Sequence, residues 1–280
     1  MSVKAFMHRS KFVALSITGL HCSLKCKHCK ASFLKGMIPV TNSEHLMELL
    51  TKLHTKGVRG ALISGGFNAD GMLPITDEMV KVLVDIKRRY GYVFNIHSGI
   101  VRSRELALEL KEFADVIDFE FTLSQYMLKD VRGLNIEPST VIEAIELLLN
   151  MGIDVVPHVF LWHPWQSDEL LQRELGVLRD LGLRRLTLLV FIPRYFDVPL
   201  PHVDALLERI RMVRAYFNGE IYLGCMRPIK LKPKLDVEVV RQGFVDRIAN
   251  PHPIAMKYIA ELYDACCSLP SHVLPIFKVG

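Results

Sequence analysis

The sequence predicts an α/β fold: a parallel (β/α)8 barrel of the TIM type, with an open barrel of six units and an added C-terminal part as the alternative. Three observations predict it. Short apolar runs rich in Val, Ile, Leu and Phe alternate with longer amphipathic segments along most of the chain. Half of the 280 residues are hydrophobic, enough for one large domain with a sizeable core. No stretch rich in Pro, Ser or Gly divides the chain, so residues 1–280 read as a single domain, with 225–280 carrying a second group of thiols.

The elements follow in order. The first buried strand is 12–18, and a loop with three cysteines leaves its carboxyl end. Thr41 and Glu44 read as a capping box for a helix whose buried stripe is Leu46, Leu49, Leu50 and Leu53, ended by Gly57. The strand 59–64 runs into Gly65-Gly66, and the helix 76–90 carries Met79, Val82, Leu83 and Ile86 on one face. The strand 92–97 ends in His97-Ser98-Gly99 and is followed by the helix 103–112 and the strand 115–122. The helix 139–150 is capped by Ser139 or Thr140, and the strand 153–160 follows. Then come the helix 167–182, the strand 185–192, the helix 201–216 and the strand 220–224. A weak strand at 243–246 and a helix at 254–264 close the series. Sites on parallel barrels sit at the carboxyl ends of the strands. Cys22, Cys26, Cys29, Gly65, Gly66, His97, Glu120, His158 and Cys225 all fall there.

Bulk properties exclude several function classes. Net charge is +5, from 35 basic and 30 acidic residues without a basic cluster, so no nucleic-acid partner is expected. No apolar stretch reaches ~18 residues, so no membrane span is expected. The first residues lack the apolar core of a signal peptide. The six cysteines are therefore read as cytoplasmic thiols, metal-binding or catalytic rather than disulfide-bonded.

Cys22, Cys26 and Cys29 stand at the spacing C-x3-C-x2-C. On a loop three sulfurs converge on one point. A structural zinc site takes four protein ligands, and no second Cys or His pair completes one here. A four-iron, four-sulfur cluster normally takes four thiolates, so three leave one iron open to a small molecule. Closed zinc and ordinary buried thiols are the alternatives.

This loop resembles the signature of the radical S-adenosylmethionine (radical SAM) enzymes, and the barrel would then be a near-complete radical SAM barrel. The resemblance implies that Cys22, Cys26 and Cys29 bind a [4Fe–4S] cluster and that its open iron chelates SAM. An electron from the cluster then cleaves SAM to methionine and a 5′-deoxyadenosyl radical. His28 stands before the third cysteine, where the family usually has an aromatic residue beside the adenine. Ser64-Gly65-Gly66 matches the family's strand end, whose backbone meets the SAM amino group; Phe67 stands where Glu is common. The resemblance also places Glu120 on the SAM ribose or amino-acid part. Alternation puts Asp118, Glu120 and Thr122 on one side of their strand. His97 is read as a contact of SAM or substrate, His158 as facing the cavity as a substrate contact, and Arg227 as a substrate contact near Cys225; a structural histidine is the alternative for each His.

Cys225, Cys266 and Cys267 form the second thiol group, with Cys266-Cys267 at the end of the last helix. They are read as ligands of a second, auxiliary iron–sulfur cluster, with buried thiols as the alternative. The Gly224-Cys-Met-Arg-Pro228 segment is similar to the biotin-synthase and lipoyl-synthase branch, including a subunit of the two-component lipoyl synthase of archaea. That resemblance implies sulfur insertion into unactivated C–H bonds: lipoyl formation on an octanoylated carrier protein, with an electron donor of ferredoxin or flavodoxin type and a second radical SAM subunit as partners. Two alternatives stand beside it: a radical SAM mutase or methylase on a small molecule, and a zinc-stabilised barrel that binds a partner without catalysis.

Overall fold

A computed structural model describes residues 2–280. Its strands and helices alternate. β1 (Lys4–Phe6), β2 (Phe12–Ser16) and the two-residue β3 (Ile38–Pro39) precede α1 (Ser43–Thr55). Then follow β4 (Gly60–Ser64), α2 (Asp77–Tyr90), β5 (Val93–Ile96), α3 (Arg104–Phe113), β6 (Val116–Phe121) and α4 (Pro138–Asn150). β7 (Val155–Trp162), α5 (Asp168–Asp180), β8 (Arg185–Val190), α6 (Val203–Tyr216) and β9 (Glu220–Leu223) continue the pattern. α7 (Lys232–Gln242), β10 (Arg247–Ala249), the one-turn α8 (Pro253–Met256) and β11 (Glu261–Tyr263) complete it. All strand pairs are parallel, in the order β11-β1-β10-β9-β8-β7-β6-β5-β4-β2-β3. The sheet curls into a barrel that is open between β11 and β2, the near-complete form of the expected α/β fold. Among the described residues no helix is long and apolar enough to cross a membrane.

The helices pack on the outside of the sheet over one large apolar core, for example Leu83 and Ile86 of α2 with Ile63 of β4. Side-chain oxygens cap several helices: Thr76 accepts from the Met79 amide, Ser103 from Leu106 and Ser167 from Leu170. At α1 the cap is Asn42, not Thr41; its Oδ1 accepts from the His45 amide at 2.8 Å. α4 starts at Pro138, one residue ahead of Ser139, because proline at the first helical position has no amide to satisfy.

Alternation gives each strand an inner face. Val93, Asn95 and His97 share one, as do Val116, Asp118 and Glu120 on β6, and Val156, His158 and Phe160 on β7. Val93, Val116 and Val156 stand at or near the amino ends of their strands and pack on Leu269, Val273, Leu274 and Phe277 of the C-terminal segment. That segment plugs the amino end of the barrel and covers the gap between β11 and β2. Asp264 fixes its start: the carboxylate accepts the amides of Arg9, Ser10 and Lys11 at 2.7, 2.6 and 2.7 Å. Phe277 meets Phe12 edge-on at 5.6 Å. At the carboxyl end a separate apolar cluster, Met127, Val131, Phe160, Leu189 and Phe191, forms part of the wall. Between plug and cluster the interior is polar.

The C-terminal third departs from expectation. Residues 243–246 are a turn, and the strand is β10 at 247–249. A helix precedes it at 232–242, whose Pro233 sits in the first turn where it does no harm. The helix expected at 254–264 is only α8; a strand of three residues, β11, then pairs with β1. Cys266 and Cys267 thus lie in a turn after a strand, not at a helix end.

Candidate functional site at the carboxyl ends of the strands

The thiol loop is clamped from three sides. From β2, Ser16 Oγ donates to Gly19 O at 2.6 Å, and Thr18 Oγ1 donates to His21 O at 2.9 Å while accepting the Gly66 amide at 2.7 Å. From the end of β4, the Phe67 carbonyl accepts the amides of Ser23 and Leu24 at 2.9 and 3.3 Å. From beyond β6, the Val131 carbonyl accepts the Lys27 amide at 2.7 Å. A Cβ on Gly66 would stand 1.9 Å from His21 O and 2.5 Å from Cys22 Cα, so only glycine lets the loop lie there. Lys25, Lys30 and Ala31 have φ of 46°, 46° and 60°, the left-handed region that non-glycine residues avoid. Such strain persists where the surroundings over-determine it, and it clusters at functional sites.

The thiols of Cys22 and Cys26 are buried and that of Cys29 is half-buried. Cys26 and Cys29 are hydrogen-bonded to each other. Cys26, as donor, is pushed up, and Cys29 is pushed down to about 7 by that bond, with burial opposing and the Ala31 amide assisting. The three sulfurs are not all within 4.8 Å of one another. A single tetrahedral ion with ~2.3 Å bonds would hold them about 3.8 Å apart. A multi-iron cluster spreads its thiolates over separate irons.

Two charged groups flank the loop. Arg132, at the end of the π-helical turn Met127–Val131, is fully buried and pairs with Glu120 at 3.4 Å. Glu120 is therefore neither outward-facing nor paired with a helix lysine. Both charges act on Cys26, Cys29 and His28. His28 is buried, its ring 5.8 Å from Phe191, and burial lowers its pKa. Trp165 packs on Phe191 and Phe196 at 5.7 and 5.3 Å, extending an aromatic wall past β7 and β8. The loop also borders an open cleft of ≈ 400 Å³ lined by Leu20, His21, Cys22, Lys25, Lys30 and Ala31.

Below the loop the polar interior crosses four strands. Ser64 Oγ lies 3.4 Å from His97 Nδ1, His97 Nε2 3.3 Å from Asp118 Oδ2, and His158 Nε2 3.5 Å from Asp118 Oδ1. Asn95 Nδ2 donates to Asp118 Oδ2 at 2.8 Å and to Ser268 Oγ at 3.0 Å. Burial alone would raise the Asp118 pKa, but the His158 and His97 rings outweigh it and hold the carboxyl far below its usual range.

The second thiol group meets this interior from the floor. His8 Nε2 lies 3.2 Å from Cys266 Sγ, and Arg247 Nη1 donates to the carbonyls of Cys267 and Leu269 at 2.9 and 2.6 Å. Burial pushes up all three thiols, Cys225, Cys266 and Cys267, and the Asp118 charge adds to it. The Cys225 charge also raises Cys266 and Cys267. Cys225 is exposed.

Arg227 does not join them. It is fully buried, and its Nε and Nη2 donate to the two carboxylate oxygens of Asp236 at 2.8 and 2.9 Å. Its Nη1 donates to the Gly224 carbonyl. The guanidinium is spent on holding α7 against the end of β9, so the expected substrate contact is corrected to a structural one. Sequence reasoning also ranked Glu120 above Asp118, although alternation had put both on the inner face. Arg132 and the aromatic wall carried no motif by which to find them.

No protein-family model and no curated protein matches the chain. Solved structures share its fold. Methylornithine synthase (PylB) matches over 89% of this chain and 72% of its own, with a TM-score of 0.60 and 12% identity. SuiB of Streptococcus suis bound to S-adenosylmethionine matches over 92% of this chain, with a TM-score of 0.52 and 11% identity. This chain spans 49% of SuiB, about half its length. The HMG-CoA lyase of Brucella melitensis matches over 90% of this chain and 81% of its own, with a TM-score of 0.52 and 12% identity. At such identities the likeness shows the fold, and the chemistry has to be argued from the site.

Proposed function

We propose that the protein is a radical SAM enzyme in which Cys22, Cys26 and Cys29 hold a [4Fe–4S] cluster with one iron left for SAM. The observation that carries this reading is the seat of the thiol loop: Gly66 admits no side chain because Cys22 lies against it, so the strand end and the thiols meet at one place. The donor set supports it as well. Thiolates suit iron–sulfur clusters, and Cys29 is already drawn toward its thiolate. When bound, the cluster supplies the electron that cleaves SAM to methionine and a 5′-deoxyadenosyl radical.

The chain's own residues bind, orient and exclude water. The Ser64-Gly65-Gly66 backbone is the proposed rest for the SAM amino group, and His28 with Phe191 the proposed wall for adenine. Glu120, held by Arg132, is placed for the ribose or the amino-acid part. Trp165, Phe191 and Phe196 keep water from the reactive end. Lys25 and Lys30 on the open cleft suit an acidic electron donor of ferredoxin or flavodoxin type.

A finer reading is sulfur insertion, with Cys225, Cys266 and Cys267 holding a second cluster and an octanoylated carrier protein as substrate. What favours it is that Cys266 and Cys267 are buried near enough to Cys225 for its charge to act on both. A mutase or methylase acting on a small molecule needs no such thiols. Anaerobic reconstitution tests both readings. Wild type is expected to take up iron and release 5′-deoxyadenosine from SAM, and Cys26→Ser to do neither. Roughly eight irons, falling to about four in Cys225→Ala, supports two cubanes; about four in both limits the reading to one. Zinc uptake without iron, or undiminished SAM cleavage in Cys26→Ser, contradicts the proposal.

A further inference from the structure

Among the described residues, His97, Asp118 and His158 are the one group of three or more His, Cys, Asp or Glu side chains whose ligand atoms all lie within 4.8 Å of one another. They come from the inner faces of β5, β6 and β7, rigid neighbouring strands. Asp118 is 4% exposed, and its Oδ1 has no hydrogen-bond partner; neither does His158 Nε2, 3.5 Å away. A buried carboxylate oxygen and a buried imidazole nitrogen that face each other without bonding are costly unless something sits between them.

We propose that this triad binds one divalent first-row metal ion, separate from any cluster on the thiol loop. The spacings suit coordination better than hydrogen bonding. Around a tetrahedral ion with bonds of ~2.0–2.2 Å, ligand atoms stand about 3.3–3.6 Å apart. His158 Nε2 stands 3.5 Å from Asp118 Oδ1, longer than the ~2.9 Å of a good hydrogen bond, and His97 Nε2 lies 3.3 Å from the other carboxylate oxygen, Oδ2. An outer shell is in place too. Metal-bound imidazoles usually engage their other ring nitrogen, and ligating carboxylates are themselves hydrogen-bonded. Ser64 Oγ stands at His97 Nδ1, and Asn95 Nδ2 holds Asp118 Oδ2 at 2.8 Å, leaving Oδ1 free for the ion. Two imidazoles and one carboxylate select zinc or iron(II) and leave positions open. Those positions belong to water or to a substrate oxygen, nitrogen or sulfur atom that reaches the interior.

Cobalt(II) titration of the full chain tests this. The background replaces all six cysteines with serine, which removes both thiol groups and leaves the triad. One cobalt per chain is expected, with visible d–d bands and no near-ultraviolet thiolate-to-cobalt charge transfer. Adding Asp118→Asn or His158→Gln is expected to weaken binding at least tenfold. Circular dichroism matched to the parent identifies variants that are folded, and the two substitutions check each other. Absence of bound cobalt in the folded parent overturns the proposal, as does equal binding in Asp118→Asn. None of these outcomes bears on SAM cleavage, so the inference stands or falls apart from the radical SAM reading.

Discussion

Glu174 is a carboxyl with no water to solvate it. It comes from α5, is 0% exposed, and accepts the Thr122 hydroxyl at 2.9 Å and the Leu123 amide at 2.7 Å. Burial pushes its pKa up to about 7 despite these bonds. The folded chain thus takes up a proton that the unfolded chain, with an ordinary Glu, releases. Its contribution to stability is fully present below about pH 4.5 and is lost as pH rises through about 7, a difference of about 3 kcal/mol. Buried His163, lowered to about 4, gains stability over the same range in both proteins, so urea unfolding at pH 5 and pH 8 is expected to show the Glu174 loss as the difference in pH slope between wild type and Glu174→Gln. Equal pH slopes in the two proteins would refute it. At the same scale Gly66 was legible in the sequence, because a glycine pair after a buried strand announces a close approach. Arg227 was not: its partner Asp236 lies on a helix that the sequence pattern had hidden.

At the scale of elements, the regular βα units from β4 to β9 were legible because apolar period and capping residues agree there. Agreement fails after Leu223. α7 opens with Lys232-Pro233-Lys234, which reads as a loop, yet Leu235, Val239 and Val240 form a buried face. β1, β10 and β11 have three residues each, too few for alternation to register, and their pairing with one another and of β10 with β9 defines them. The C-terminal segment is the element that closes the barrel, and Asp264 is its anchor. Asp264→Ala removes a buried acceptor shared by three amides, and hydrogen bonds to charged groups contribute ~1.5–3 kcal/mol each. Some of these amides regain water, so a loss of about 3–5 kcal/mol is expected in denaturant unfolding. A loss below about 1 kcal/mol would mean that the plug is held by apolar packing alone.

The whole molecule is layered along the barrel axis. An apolar plug seals the amino end, polar side chains line the middle, and thiols with an aromatic wall meet at the carboxyl end. The thiol loop and its strand end were readable from spacing, since both are local in sequence. The interior was only partly so: His97 and His158 could be named singly, but what unites them is Asp118, through lateral strand register that no local pattern encodes.

The central claim is that three loop thiolates hold a four-iron cluster with one iron open to SAM. Electron paramagnetic resonance of the anaerobically reconstituted, reduced Cys225→Ala/Cys266→Ser/Cys267→Ser variant tests it most directly, because only the loop can then carry a cluster. The account predicts a [4Fe–4S] signal whose g-values shift when SAM is added. No cluster signal, or one that SAM leaves unchanged, would contradict it.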